Sequence, residues 1–243
     1  MKNDLEFYAQ SADSWWQPDA KIYALYYLNQ PRFTFFDRYV QNWQGLRVLD
    51  VGCGGGFSCE FMAHRGVKVS GIDQSSKCIL KAQEHASMNG WHIDYRCCVA
   101  ENLPYEDSSF DVVVCVDVLE HVCELQKVIQ EIYRVLKPGG FFFFDTINRT
   151  FHSKLVMIWL LENILKEIPR GVHDWQMFIQ PEELQKLLAK QGFFNIEIAG
   201  FDLFGKTFID NLSAYFYYKR FRQFRVKLTN ETSVMYIGKA VKQ

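Results

Sequence analysis

Leu46-Arg47-Val48-Leu49-Asp50-Val51-Gly52 runs straight into Cys53-Gly54-Gly55-Gly56, and residues 58–66, SCEFMAHRG, follow at helical spacing. An apolar strand run, a glycine turn and a helix stopped by Gly66 make one strand–turn–helix unit. Outward from it the same alternation continues. Residues 67–73 (VKVSGID) are a second strand run, and residues 75–90 a helix with a serine cap and an Asn89-Gly90 stop. Residues 92–99 and 110–117 are further strand runs. Residues 125–140 read as an amphipathic helix closed by Pro-Gly-Gly, and residues 141–147 (FFFFDTI) as a fifth strand. Strands alternating with helices through short connections specify right-handed crossovers and a parallel sheet.

After residue 148 the pattern changes. Residues 151–168 form an apolar helix, 181–193 another helix, and 194–200 and 233–241 two strands, with an aromatic and basic insert from Phe201 to Lys227. The expected fold is therefore α/β: a doubly wound, mostly parallel sheet of seven strands with an antiparallel pair at one edge. No internal repeat or Gly/Ser linker divides the 243 residues, and 49% apolar content supports one large core. Residues 1–44 read as an N-terminal cover, 45–147 as the ligand-binding core, 148–180 as a lid, and 181–243 as a C-terminal helix with the antiparallel strands. The cover is crowded with aromatics (Trp15, Trp16, Tyr23, Tyr26, Tyr27, Phe33, Phe35, Phe36), which suit either a cap on the core or a lid over a flat apolar substrate.

A formal charge of −1 gives no electrostatic footprint for nucleic acid. No apolar run reaches the roughly 18 residues needed to span a bilayer. The start, MKNDLEFYAQ, lacks the features of a secretory signal, so a cytoplasmic, reducing location is expected. Seven cysteines, an odd number without paired zinc-type spacing, agree with it, and Cys97 and Cys98 read as core residues.

The glycine loop predicts a cofactor site, because glycines let backbone approach a ligand and present the N–H groups of a helix start. Asp73 ends the second strand, where a carboxylate can accept hydrogen bonds from a ribose diol. A nicotinamide dehydrogenase would use similar geometry. However, the dinucleotide pattern wants a third glycine at position 57, which is Phe57. Asp50 would also repel a pyrophosphate. S-adenosylmethionine carries no phosphate, so acidic residues on both sides of the loop suit it, Asp50 fixing the loop or reaching the ammonium through water.

Asp50 to Gly56, Asp73, Ala100-Glu101-Asn102-Leu103-Pro104, Phe110-Asp111 and Leu136-Lys137-Pro138-Gly139-Gly140 together resemble the motifs of class I methyltransferases. The resemblance implies adenine held by Ala100 and Glu101, with Leu103 and Val116 along the cleft; Val99 stands where many relatives have aspartate. Three further segments resemble the 3-demethylubiquinone O-methyltransferases: Ala12-Asp13-Ser14-Trp15-Trp16 with Asn29-Gln30-Pro31-Arg32, Leu119-Glu120-His121-Val122, and Asn148-Arg149-Thr150 on through Gly171-Val172-His173-Asp174-Trp175 to Leu184. This second resemblance implies O-methylation of a catechol-type hydroxyl on a small, polyprenylated ring, and a role for Arg32 at the cofactor carboxylate. The cofactor-side candidates are Arg32, Asp50, Gly52, Cys53, Gly54, Asp73, Gln74, Ala100, Glu101 and Val116. The chain departs from the family at Tyr26-Tyr27, at Cys123-Glu124-Leu125 and in the aromatic-rich insert Phe201–Lys227, which leaves other acceptors (a different phenol, an acyl thioester, an amine) as alternatives within methyl transfer; a non-catalytic cofactor-binding assembly subunit is the alternative from another class.

A phenol of pKa ~10 is about 0.1% ionised at neutral pH, roughly 4 kcal/mol of missing nucleophile, so its methylation benefits from a general base or a Lewis acid beside the hydroxyl. Asp117, Glu120 and His121, at i, i+3 and i+4, share a face if one helical turn follows the fourth strand. They act either as a base pair, His121 helped by Glu120, or together as ligands of one divalent ion (magnesium, manganese or zinc). His173 and Asp174 are further candidates at the same mouth. In residues 151–168, Leu155, Val156, Ile158, Trp159, Leu160, Leu161, Ile164, Leu165 and Ile168 make an apolar stripe with Lys154, Lys166 and Arg170 at its ends. It suits either a packed lid or a peripheral membrane contact.

Overall fold

The computed structural model describes every residue except 1, 2, 4 and 206. Eight strands join in one sheet: β1 (Arg47–Val51), β2 (Lys68–Asp73), β3 (Asp94–Cys97), β4 (Phe110–Val116), β5 (Leu136–Ile147), β6 (Phe193–Asp202), β7 (Lys227–Thr229) and β8 (Met235–Lys242), in the order β3-β2-β1-β4-β5-β8-β6-β7. The first five are parallel, and β8 pairs antiparallel with both β5 and β6. The expected count of seven is exceeded by the three-residue β7, which extends the antiparallel edge beyond β6. It starts at Lys227, the last residue of the 201–227 insert, and is too short to leave an alternation signal.

Period-two alternation sorts the central strands onto two cores. Val112, Val114, Val116 and Phe143 pack into one, where Phe36 of α2 (Asn29–Phe36) stacks on Phe143 at 4.4 Å. Val113, Cys115, Phe142 and Phe144 face the other, covered by Val128, Ile129, Ile132 and Val135 of α5 (Leu125–Val135). The other α-helices among the described residues are α1 (Glu6–Gln10), α3 (Phe57–Ala63), α4 (Ser76–Met88), α6 (Phe151–Ser153), α7 (Pro181–Gln191) and α8 (Phe208–Phe221). Ser75 caps α4 by accepting from the Cys78 N–H.

Three local readings change. The helix expected over 125–140 stops at Val135, and β5 begins at Leu136. The lid is α-helical only over α6 and continues as a π-helix, Lys154–Ile164. Cys97 is exposed and Cys98 half-buried, because β3 is the sheet's edge strand and its outer residues meet solvent. Among the described residues no helix is long and apolar enough to cross a membrane.

Candidate active site

The strand order reverses between β1 and β4, and the crevice at the carboxyl ends of those strands is where open α/β sheets bind ligands. Gly52, Gly54 and Gly56 take φ of +76°, +53° and +94° as the chain leaves β1. The Gly52 and Cys53 N–H groups donate to the Ile72 carbonyl, each at 2.8 Å. The Asp73 carboxylate accepts from the Gly54 N–H at 2.9 Å and from the Ser75 N–H at 2.8 Å. Close approach explains the glycines: a Cβ on Gly54 would lie 2.5 Å from the Trp15 ring, and one on Gly55 2.3 Å from it. Trp16 donates its indole N–H to the Gly55 carbonyl at 2.9 Å, so the cover residues seat directly on the loop.

A cavity of about 770 Å³ opens there. Arg32, Asp50, Gly52, Cys53, Gly54, Asp73, Gln74, Ala100, Glu101 and Val116 all line it, and so do Asp117, Glu120, His121 and His173. The residues present fit S-adenosylmethionine. Each Asp73 oxygen accepts one backbone N–H and retains a lone pair for a hydroxyl. The Trp15 indole N–H, in the cavity wall, is buried without a hydrogen-bond partner among the described residues. Burial pushes the Asp50 carboxyl up to about 7, against the opposing pull of the Cys59 thiol and Arg32. The wall of the cavity also includes an apolar stretch: Met157, Leu160, Leu161, Leu165 and Ile168 from the lid, and Leu203, Phe204, Tyr218 and Phe224 from β6, α8 and their flanks.

Beyond the tip of β4, Arg32 is 3% exposed and held by two carboxylates, Asp145 at 2.5 Å and Asp117. Asp117 reaches it from a left-handed backbone position, φ +55°, which Asp tolerates better than most residues. A hydrogen-bonded turn follows, closed by the His121 N–H on the Val118 carbonyl at 2.8 Å, but it is not the expected helical turn: Asp117, left-handed, stands before it. The metal set does not form on it. Asp117 is turned to Arg32, Glu120 accepts from the Thr146 hydroxyl at 2.7 Å, and His121 Nδ1 meets the Asn3 side chain at 2.7 Å. Among the described residues no group of three or more His, Cys, Asp or Glu side chains is placed to hold a metal ion. The three residues lie within five positions of one another, yet each has its own partner in a distant part of the chain.

Burial pushes the Glu120 carboxyl up to about 8, with Asp117 adding to it. Burial lowers His121 to about 3, and His173 beside it works the same way. The two imidazoles stack at 5.3 Å. Asp174 caps the turn Trp175–Met177 and does not line the cavity.

Sequence reading missed three buried polar residues of this region. Asp145 sits within the phenylalanine-rich β5, where a lone carboxylate in an apolar run is itself the signal of a buried partner. Glu162 is hidden in the lid's apolar stripe. Asn29 accepts the Ser58 hydroxyl hydrogen at 2.8 Å while its own NH2 group is buried without a partner among the described residues.

Comparison with known proteins agrees with this geometry. A methyltransferase-domain family model matches residues 49–144. The ubiquinone biosynthesis O-methyltransferase of Idiomarina loihiensis is 39% identical over 190 residues, covering 78% of this chain and 78% of that one. That of Chromobacterium violaceum is 38% identical over 190 residues, 78% of this chain and 82% of that one. The crystal structure of a SAM-dependent methyltransferase from Thermotoga maritima shares the fold, with a TM-score of 0.66 at 19% identity over 99% of this chain and 100% of that one. Identity at the level of the two sequence relatives, over 78% or more of every chain involved, means that the protein belongs to the ubiquinone biosynthesis O-methyltransferase family of S-adenosylmethionine-dependent enzymes.

Proposed function

We propose that residues 1–243 work as one unit that methylates a phenolic hydroxyl on a small, polyprenylated quinone precursor. The observation that carries this reading is the joint cavity: the glycine-loop wall and an apolar wall contributed by the lid and α8 enclose the same space. S-adenosylmethionine supplies an electrophilic methyl group on sulfur. Asp73 holds the ribose, Ala100 and Glu101 flank adenine, and Arg32 lies near the amino-acid end. Glu120, His121 and His173 surround the acceptor hydroxyl, and leucines 160, 161 and 165 accommodate hydrocarbon. Incubation with labelled S-adenosylmethionine and catechols bearing prenyl tails of increasing length should label the tailed catechols most efficiently. Label on thioesters or amines instead would replace the acceptor.

Asp73→Ala should weaken S-adenosylmethionine binding by two hydrogen bonds to a charged acceptor, about 1.5–3 kcal/mol each. Calorimetric titration checks this, and an unchanged affinity would remove the ribose role.

The protein works in the cytoplasm and takes its substrate at a membrane surface, without nucleic acid. The lid stripe divides between two faces: Leu160, Leu161, Leu165 and Ile168 line the cavity, while Leu155, Trp159 and Ile164 are exposed, Trp159 by 58%. Phe151 and, on α8, Ile209 and Phe216 extend the exposed set beside basic Lys219 and Arg220. This composition suits an interfacial contact with anionic lipid. Flotation with anionic liposomes should carry the wild type upward and Trp159→Glu much less.

A further inference from the structure

We infer that His173, oriented by Glu162, is the side chain that takes the proton from the acceptor hydroxyl, with His121 packing against it as a positioning residue. This rests on the reading above that the acceptor is a phenol.

Glu162 is 2% exposed, and two backbone N–H groups and one ring nitrogen converge on its carboxylate. The Gly171 N–H donates to Oε2 at 2.9 Å, and the His173 backbone N–H to Oε1 at 3.0 Å. His173 Nδ1 lies 2.8 Å from the same Oε1. A carboxylate with that set of donors is an acceptor, so Nδ1 carries the ring hydrogen and Nε2 carries the lone pair. An imidazolium formed at His173 is then paired with a carboxylate already in contact, the arrangement that lets a histidine act as base and hold its charge.

Among the described residues His121 has no such carboxylate partner. Its Nδ1 faces the neutral side chain of Asn3 at 2.7 Å, and its proton affinity is held far down by burial and by His173. Its ring instead fixes one side of His173, stacked at 5.3 Å, while Phe178 closes another at 5.9 Å in an edge contact. Both histidines, with Glu120, line the cavity.

The lid's winding puts Glu162 in place. Buried Met157 and Glu162 are five residues apart, and i→i+5 bonding brings such pairs onto one face. In an α-helix the same spacing would turn Glu162 about 140° away from Met157. The lid that covers the cavity therefore carries the carboxylate that orients the base.

The proton passes from the acceptor hydroxyl to His173 Nε2. The oxygen keeps the electron pair with which it bonds to the methyl carbon. The pair of the breaking carbon–sulfur bond stays on sulfur, so the positive charge lost there reappears on the imidazolium beside Glu162.

Three measurements test this. Nitrogen-15 NMR of the protein alone should show His173 as the Nδ1–H tautomer in the wild type, lost or mixed in Glu162→Gln. Absorbance of bound 4-nitrocatechol should show the probe ionising at lower pH than in free solution. That shift should vanish in His173→Ala, shrink in Glu162→Gln and persist in His121→Asn. Turnover of unsubstituted catechol should fall about 10²–10³-fold in His173→Ala, and of 4-nitrocatechol, ionised before binding, less than about tenfold. Equal losses on both acceptors, or an undiminished probe shift in His173→Ala, would overturn the base while leaving the methyl-transfer reading intact. A wild type that methylates no catechol overturns the phenol reading, and the base assignment with it.

Discussion

Glu120 shows what burial does to a single carboxyl. It is 2% exposed, it accepts a hydrogen bond from the Thr146 hydroxyl, and burial, then Asp117, pushes it up to about 8 from an ordinary 4.5. The folded state thus holds this proton more tightly than the unfolded chain does. Its contribution is present in full below about pH 4.5 and is lost as pH rises through about 8. Loss on the order of a few kcal/mol is expected across that window. Asp50, raised to about 7, acts with the same sign. Thermal melts of Glu120→Gln across this range should therefore decline less steeply than those of the wild type; parallel profiles would mean that Glu120 ionises freely in the fold.

Elements meet most tightly where the cover crosses the glycine loop. Trp15 lies against Gly54 and Gly55 and contacts Phe57 at 5.5 Å, while Trp16 stacks on His85 of α4 at 3.6 Å and binds the Gly55 carbonyl. His85 in turn pairs with Glu60 of α3 at 2.7 Å. The cover is thereby tied to both helices that follow the first two strands. A methyl at Gly55 lands on the Trp15 ring, where an aromatic nucleus cannot yield as the end of a flexible chain does. Gly55→Ala should lower S-adenosylmethionine affinity by about fivefold or more, a loss of about 1–3 kcal/mol from displaced packing. It should also speed limited proteolysis within residues 5–28. Calorimetry and digestion rates check the two effects separately.

Across the molecule, Arg32 joins the cover to the sheet. It belongs to α2, and its partners Asp117 and Asp145 lie just beyond β4 and within β5. Asp145 is fully buried and also accepts the Asp117 N–H at 2.8 Å. Removing the guanidinium strands that carboxylate in a phenylalanine-lined interior. Arg32→Met should cost about 3–5 kcal/mol in urea denaturation, and Asp145→Asn added to it should recover part of the loss. A cost under about 1 kcal/mol would show that the network contributes little to stability. A second long-range cluster ties the cover to the lid and α8: Lys219 at 3.0 Å, Arg222 at 3.7 Å and Lys21 at 3.8 Å around Glu167.

The parallel core was legible because its signals are local. The run into Gly52–Gly56, the Ser75 cap and the apolar spacing of Val128, Ile129 and Ile132 each act within a few residues of backbone. The same locality brought Asp73 to the end of β2 and the turn after β4 to the cavity mouth. What the chain does with those side chains was decided elsewhere. Asp117, Glu120 and His121 looked like one ligand set from their spacing, but their partners Arg32, Thr146 and Asn3 come from distant parts of the chain. The carboxylate behind His173 was hidden because a π-helix turns Glu162 inward where α spacing would not. Periodicity specifies which face of an element is apolar; the partner of a buried charge depends on which elements the fold brings together, and only the tertiary structure settles that.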